Sequence, residues 1–233
     1  MLPEDVKSRA LERRGAVHVF ANLAPRRTAL VVIDMQNYFV ARGFMGEVAA
    51  ARDIVGAINR LAEAMRVAGG LVFWVQTSAA KALQDWPVLH ETLLDPARRE
   101  RRLAELNEAH PGFALFPSLD RRAGDEHITK THYSAFIQGS SDIEGRLRGC
   151  GIDTLLIAGT ATNVCCESSA RDAMMRNFKV AMISDACAAQ SDQLHMTALL
   201  GFYSNFGDVL TVDEAIAGLA ARGAAGEAVS TER

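Results

Sequence analysis

Four stretches of this chain are apolar at nearly every position, and they constrain the fold more than any other feature. They are Ala29–Ile33, Leu71–Val75, Thr154–Ala158 and Val180–Ile183. A strand with one wet face alternates apolar and polar residues, whereas a continuous run suits a strand buried on both faces, as in a parallel sheet covered by helices. Shorter runs at His127–Thr129 and Val209–Thr211 are further strand candidates. Between the first two long runs, Ile54, Ile58, Leu61 and Met65 recur on one face of a helix. Gly69 and Gly70 then end that helix just before the second run. Strand, helix and strand make a βαβ unit with a right-handed crossover. The pattern returns twice. Ser141 is a candidate cap for a helix carrying Ile143 and Leu147, which leads through Gly149 and Gly151 to Thr154; a helix through Ala170 and Met174 leads to Val180. The chain therefore reads as an α/β domain with a mainly parallel sheet.

Composition removes several classes of function. The chain has 233 residues, 49% of them apolar and 23% charged, and at that length its core needs no disulfide or metal to fold. It carries 25 basic against 28 acidic residues, a net charge of −3, without the basic excess that nucleic acid binding asks for. No run reaches membrane-span length, and the N-terminus lacks the apolar segment of a secretory signal, so the expected location is cytoplasmic, with no membrane partner. The four cysteines, Cys150, Cys165, Cys166 and Cys187, fit no zinc spacing and read as free thiols. Residues 1–24 read as an N-terminal arm, 25–219 as the folded domain and 220–233 as a flexible tail. Within the domain, an insertion at about 79–123 is polar and broken by Pro87, Pro96, Pro111 and Pro117. Its run Arg98-Arg99-Glu100-Arg101-Arg102 reads as a solvated helix. Insertions of this kind commonly cover active sites.

In an open parallel sheet, ligands bind where the strands end at their carboxyl side. The first strand ends on Asp34, the one at 127–129 on Lys130, and the one at Thr154 runs out through Gly159-Thr160-Ala161-Thr162-Asn163-Val164 to Cys165. A carboxylate, an ammonium and a thiol thus share one sheet edge. Asp34 can take the thiol proton and return it to a leaving amine. Lys130 and the start of a helix beside Cys165 favour a thiolate, and backbone N–H groups at that turn are candidates for an oxyanion hole. Each residue also has a plain structural reading: Asp34 as a turn residue, Lys130 as a surface group, Cys165 as core.

Three segments together resemble the isochorismatase-like cysteine hydrolases: Ala29-Leu-Val-Val-Ile-Asp34-Met-Gln-Asn-Tyr-Phe39, Lys130-Thr-His-Tyr-Ser-Ala-Phe136, and Gly159-Thr-Ala-Thr-Asn-Val-Cys165 with the helix that follows. The resemblance covers about residues 28–217. It implies a Rossmann-like, three-layer αβα sandwich around a six-stranded, mainly parallel sheet. It implies an Asp–Lys–Cys triad at Asp34, Lys130 and Cys165, a cis peptide at Thr160–Ala161, and an oxyanion hole of the Ala161 and Cys165 N–H groups. It also implies a homodimer or homotetramer. The thiol favours the amidase branch. Nicotinamidases of the family carry a metal site built from an Asp and histidines after the second strand; here Trp74-Val-Gln-Thr-Ser-Ala-Ala80 has no Asp-x-His, so no metal or other cofactor is expected. The segments at Lys130 and Cys165 are closer to ureidoacrylate and N-carbamoyl amidohydrolases, with biuret and triuret hydrolases nearby. The expected substrate is a small ureide, carbamoyl compound or carboxamide.

Gln36, Tyr38, Phe39, Tyr133, Asn163 and Gln190 fall near strand ends and are the candidates for substrate contacts, with His132 beside them. Trp74 and Trp86 read as core or lid. Cys166, Cys187 and Cys150 read as packing thiols, and Arg171 with Asp172 as a helix ion pair. Two rival readings stand beside the amidase: a vinyl-ether hydrolase that uses Asp34 and Lys130 without the thiol, and a non-catalytic interaction protein with this fold.

Overall fold

The computed structural model describes residues 2–220. Six strands form one sheet in the order β3-β2-β1-β4-β5-β6. They are β1 (Thr28–Ile33), β2 (Leu71–Thr77), β3 (Glu126–Lys130), β4 (Thr154–Thr160), β5 (Lys179–Ala188) and β6 (Asp208–Leu210). Every pairing is parallel. Eight α-helices accompany them: α1 (Glu4–Arg14), the single turn α2 (Asn37–Val40), α3 (Val55–Val67), the single turn α4 (Ala82–Asp85), α5 (Pro96–Glu105), α6 (Ile143–Gly149), α7 (Glu167–Met175) and α8 (Asp192–Asn205). A last helix runs over 212–220.

The continuous apolar runs have the cause read from the sequence. Along β1, Leu30 and Val32 face a layer made by α3 and the last helix, while Ala29, Val31 and Ile33 face α6, α7 and α8. All six β1 residues are fully buried. On α3, Val55, Ile58, Leu61 and Met65 face the sheet. The helix ends where expected: Gly69 takes φ +81° and the Gly70 N–H donates to the Met65 carbonyl at 2.8 Å. Helix α6 begins one residue later than the cap at Ser141 implies. Asp142 holds the cap position without a side-chain cap bond, while the Ser141 hydroxyl accepts from the Ile143 N–H at 3.3 Å and donates to the Ala135 carbonyl at 2.7 Å.

From β1 the chain winds outward through β2 to β3, and from β4 it winds the other way through β5 to β6. The direction reverses between β1 and β4, the place where such sheets open a crevice. These two strands approach closely at that crevice. Gly159 has φ +114°, and a Cβ there would stand 2.0 Å from the Ile33 carbonyl oxygen. Only glycine fits both the backbone angle and the space.

The N-terminal arm is not free: α1 packs on α8. Arg13 donates to the Ser204 carbonyl at 2.7 Å, and Arg14 bonds the carbonyls of Gly207, at 3.0 Å, and Tyr203. Beyond Ala220, the expected tail lies outside the described residues. Among the described residues no helix is long and apolar enough to cross a membrane.

Candidate active site

Asp34 follows the last residue of β1 in the left-handed region, φ +56°, which an aspartate tolerates better than most residues. Its N–H still donates to the Val75 carbonyl at 2.8 Å, so the turn is fixed to β2. Thr77 ends β2 and stands in register with Lys130, which ends β3. The Thr77 hydroxyl donates to Asp34 Oδ1 at 2.8 Å and accepts from Lys130 Nζ at 2.5 Å. Lys130 Nζ lies 2.9 Å from Asp34 Oδ2 and donates to the His132 carbonyl at 3.0 Å. Burial opposes the lysine's charge, but the Asp34 carboxylate and the Cys165 sulfur outweigh it and raise its pKa above the ordinary value. The ammonium and the carboxylate form an ion pair sealed from water. Asp34 Oδ2 has no hydrogen bond beyond this ionic contact, which leaves a lone pair open.

Cys165 lies at that opening. After the cis peptide Thr160–Ala161 the chain makes a wide π-type turn over Thr162–Cys166, and α7 continues from it. The Val164 and Cys166 N–H groups both donate to the Ala161 carbonyl, at 3.0 and 3.2 Å. The turn buries Cys165 near enough to Asp34 for the carboxylate to act on its thiol. Burial first, then the Asp34 carboxylate, push this thiol up to about 12, against the opposing charges of Lys130 and Arg102. Burial and the Asp34 carboxylate thus act against the thiolate that the helix start and Lys130 favour.

The other expected contact residues divide. Tyr38 and Phe39 meet edge to face with ring centres 4.7 Å apart, and Tyr38 is buried. Tyr133 lies edge-on to Trp86 at 4.5 Å, and His132 tilts against the same indole at 5.0 Å. Trp86 is thus a half-buried partner of both from the segment between β2 and β3, whereas Trp74 is core. Asn163 keeps a buried Oδ1 without any partner, an acceptor in waiting two residues before Cys165. Gln36 is placed differently. It is fully buried, its amide donates to the carbonyls of Thr77 (3.0 Å) and Phe113 (2.9 Å), and its oxygen accepts from the Thr77 N–H at 2.7 Å. Both ends are spent on scaffolding. Gln190 is exposed and donates to the Glu47 carbonyl at 3.0 Å, a tie between loops.

Three smaller expectations are corrected. Arg171 pairs with Glu167 at 2.5 Å, one helical turn back, and not with Asp172, because neighbours in a helix point apart. Cys150 is exposed rather than packed, while Cys166 and Cys187 are buried. Arg102 is not solvated but buried, at 9% exposure.

Two residues of the site escaped the sequence reading: Thr77, an ordinary strand threonine until register sets it between Asp34 and Lys130, and Arg102, hidden in a run of arginines. Helical spacing was the available signal for the second. Arg102 shares a face with Glu105 and Leu106, and all three are buried.

Known proteins share this fold and sequence over most of the chain. A family model described as the isochorismatase domain matches residues 28–214. An uncharacterized isochorismatase family protein, YecD of Escherichia coli, is 31% identical over 82% of this chain and 96% of its own length. The ureidoacrylate amidohydrolase RutB of Stutzerimonas stutzeri is 32% identical over 80% of each chain. A crystal structure of a cysteine hydrolase from Pseudomonas syringae superposes with a TM-score of 0.78 at 28% identity, over 86% of this chain and 95% of the other. With the all-parallel sheet and its crevice already in place, this chain belongs to the isochorismatase family of hydrolases.

Proposed function

We propose that the protein is a cysteine amidohydrolase that cleaves the C–N bond of a small ureido, carbamoyl or carboxamide substrate through a thioester. The observation that carries this reading is a buried Cys165 thiol under the charge of an Asp34 carboxylate whose own contacts are Thr77 and Lys130. A relative named as an amidohydrolase supports it.

The scheme follows from the protonation states. With Cys165 as a thiol, attack needs its proton removed as the S–C bond forms, and Asp34 receives it. The carbonyl oxygen gains charge and is held by the Ala161 and Cys165 N–H groups. The C–N bond breaks and the amine or ammonia leaves with the proton from Asp34. A water then gives its proton to Asp34 and its oxygen to the thioester carbon, releasing the acid and restoring the thiol. Lys130 stays an ammonium throughout, fixes Asp34 and offsets the charge that develops in the closed site. No metal or other cofactor enters these steps. The same reading includes a cytoplasmic homodimer or homotetramer.

Ammonia release is measured from ureidoacrylate, N-carbamoyl amino acids, biuret, triuret, nicotinamide and maleamate. At least one class is expected to turn over, with Cys165→Ala slower by about 1,000-fold or more. An acid quench during turnover is expected to trap an acyl adduct on Cys165, seen by mass spectrometry. A Cys165→Ala protein that keeps its rate overturns the thioester scheme and favours a route through Asp34 and Lys130 alone.

A further inference from the structure

Arg102 sits in the last turn of α5, on the segment that joins β2 to β3, with its guanidinium carbon 5.8 Å from the centre of the Tyr38 ring. It is buried at 9% exposure, and its Nε has no hydrogen-bond acceptor. The nearest carboxylate along its helix is already used: Glu105 takes Arg101 at 2.5 Å and the Met45 N–H at 3.0 Å. Among the described residues no carboxylate forms a salt bridge with Arg102, while Arg101, beside it, has one.

A guanidinium at this depth without a counter-ion is costly. The groups that feel its charge are Tyr38, His90, Tyr133, Lys130 and Cys165, none of them an anion at rest. The crevice therefore holds two fixed cations, Lys130 and Arg102. Among the described residues Asp34 is the carboxylate paired with either of them, and Lys130 occupies it. The Arg101–Glu105 pair cancels itself. One negative charge is missing, and the planar fork of an arginine suits a carboxylate.

We propose that Arg102 anchors a carboxylate carried by the substrate at the end remote from the scissile C–N bond. Resting on the amidohydrolase reading, this narrows the substrate from amides in general to acidic ureides and acidic amides. It makes α5 the element that selects them. The aromatic wall of Tyr38, Trp86 and Tyr133 lowers the local dielectric, so the missing charge is strongly felt there.

The test separates binding from turnover. A Cys165→Ala protein is titrated calorimetrically with 3-ureidopropionate and with its uncharged primary amide. The charged probe is expected to bind about 100-fold tighter or more. Adding Arg102→Gln removes that preference and leaves the amide's affinity where it was, whereas Arg102→Lys keeps part of it. Equal affinity for the two probes, no binding of either, or an equal loss of both in Arg102→Gln overturns the proposal. Circular dichroism checks each fold; if Arg102→Gln does not fold, the probe pair on Cys165→Ala and the Arg102→Lys protein decide. Failure of the amidohydrolase reading has a different signature: the charged probe binds selectively, but the unmutated protein releases no ammonia from it.

Discussion

A buried thiol beside a buried carboxylate is a poor nucleophile at rest, and that fixes how Cys165 responds to pH. With its pKa at about 12, the thiolate fraction rises tenfold per pH unit through the neutral range. Alkylation of Cys165 by iodoacetamide is therefore expected to be slower than that of the exposed Cys150 at neutral pH, and still rising at about pH 10. Peptide mapping of the labelled protein reads the two sites separately. A plateau reached by about pH 8 points instead to a preformed thiolate. Asp34, Lys130 and Cys165 were legible in the sequence because each lies at or beyond the carboxyl end of a strand, and these ends of a parallel sheet share one edge. Thr77 was not, since its role comes from pairing with Lys130 across β2 and β3. Gln36 misled for a related reason: a polar residue near a strand end looks free until its partners, the Thr77 and Phe113 backbone, are in place.

The elements were legible where a run of apolar residues or a glycine pair marks them, as in β1, β2, β4 and α3. Strand β5 is longer than its apolar run because it continues through Ser184 and Asp185 to Ala188, past a register irregularity against β4 between Ile157 and Gly159. At the same irregularity, Gly159 lets the β4 backbone touch the end of β1. Gly159→Ala must displace a backbone oxygen and hold an alanine in a disfavoured region. The expected cost is about 3 kcal/mol or more, read from the denaturant midpoint. Activity falls as well, since the displaced residue, Ile33, directly precedes Asp34. The segment between β2 and β3 was legible only as a cover. Many of its ties are backbone pairings without sequence signature: Gln36 bridges Leu115, and the N–H groups of Tyr38 and Phe116 bond Gly112 and Met35, at 2.9 and 2.8 Å.

Across the whole molecule, the doubly wound architecture followed from continuous apolar runs alternating with helical periodicity. How α1 docks did not, because its helix is mostly polar: Ala10 and Val6 make its apolar contact with the core, and two arginines tie it to α8. Arg14 lies 4.4 Å from the centre of the Tyr203 ring and bonds carbonyls at the end of α8, where a cation also meets the negative pole of the helix. Arg14→Ala is expected to lower stability by about 1–2 kcal/mol, seen as a lower melting temperature, with kcat unchanged because α1 lies away from Cys165.

The reacting groups come from strand ends, and a sheet allows them no independent movement: slipping β3 by one residue would turn Lys130 to the opposite face. Arg102 and Trp86 belong instead to a covering segment held on from outside. In the proposed scheme, chemistry and selection are thus built on separate parts of the chain, one rigid and one replaceable. Exchanging the segment over 79–123 between relatives becomes a way to transplant substrate choice while the bond-breaking apparatus stays as it is.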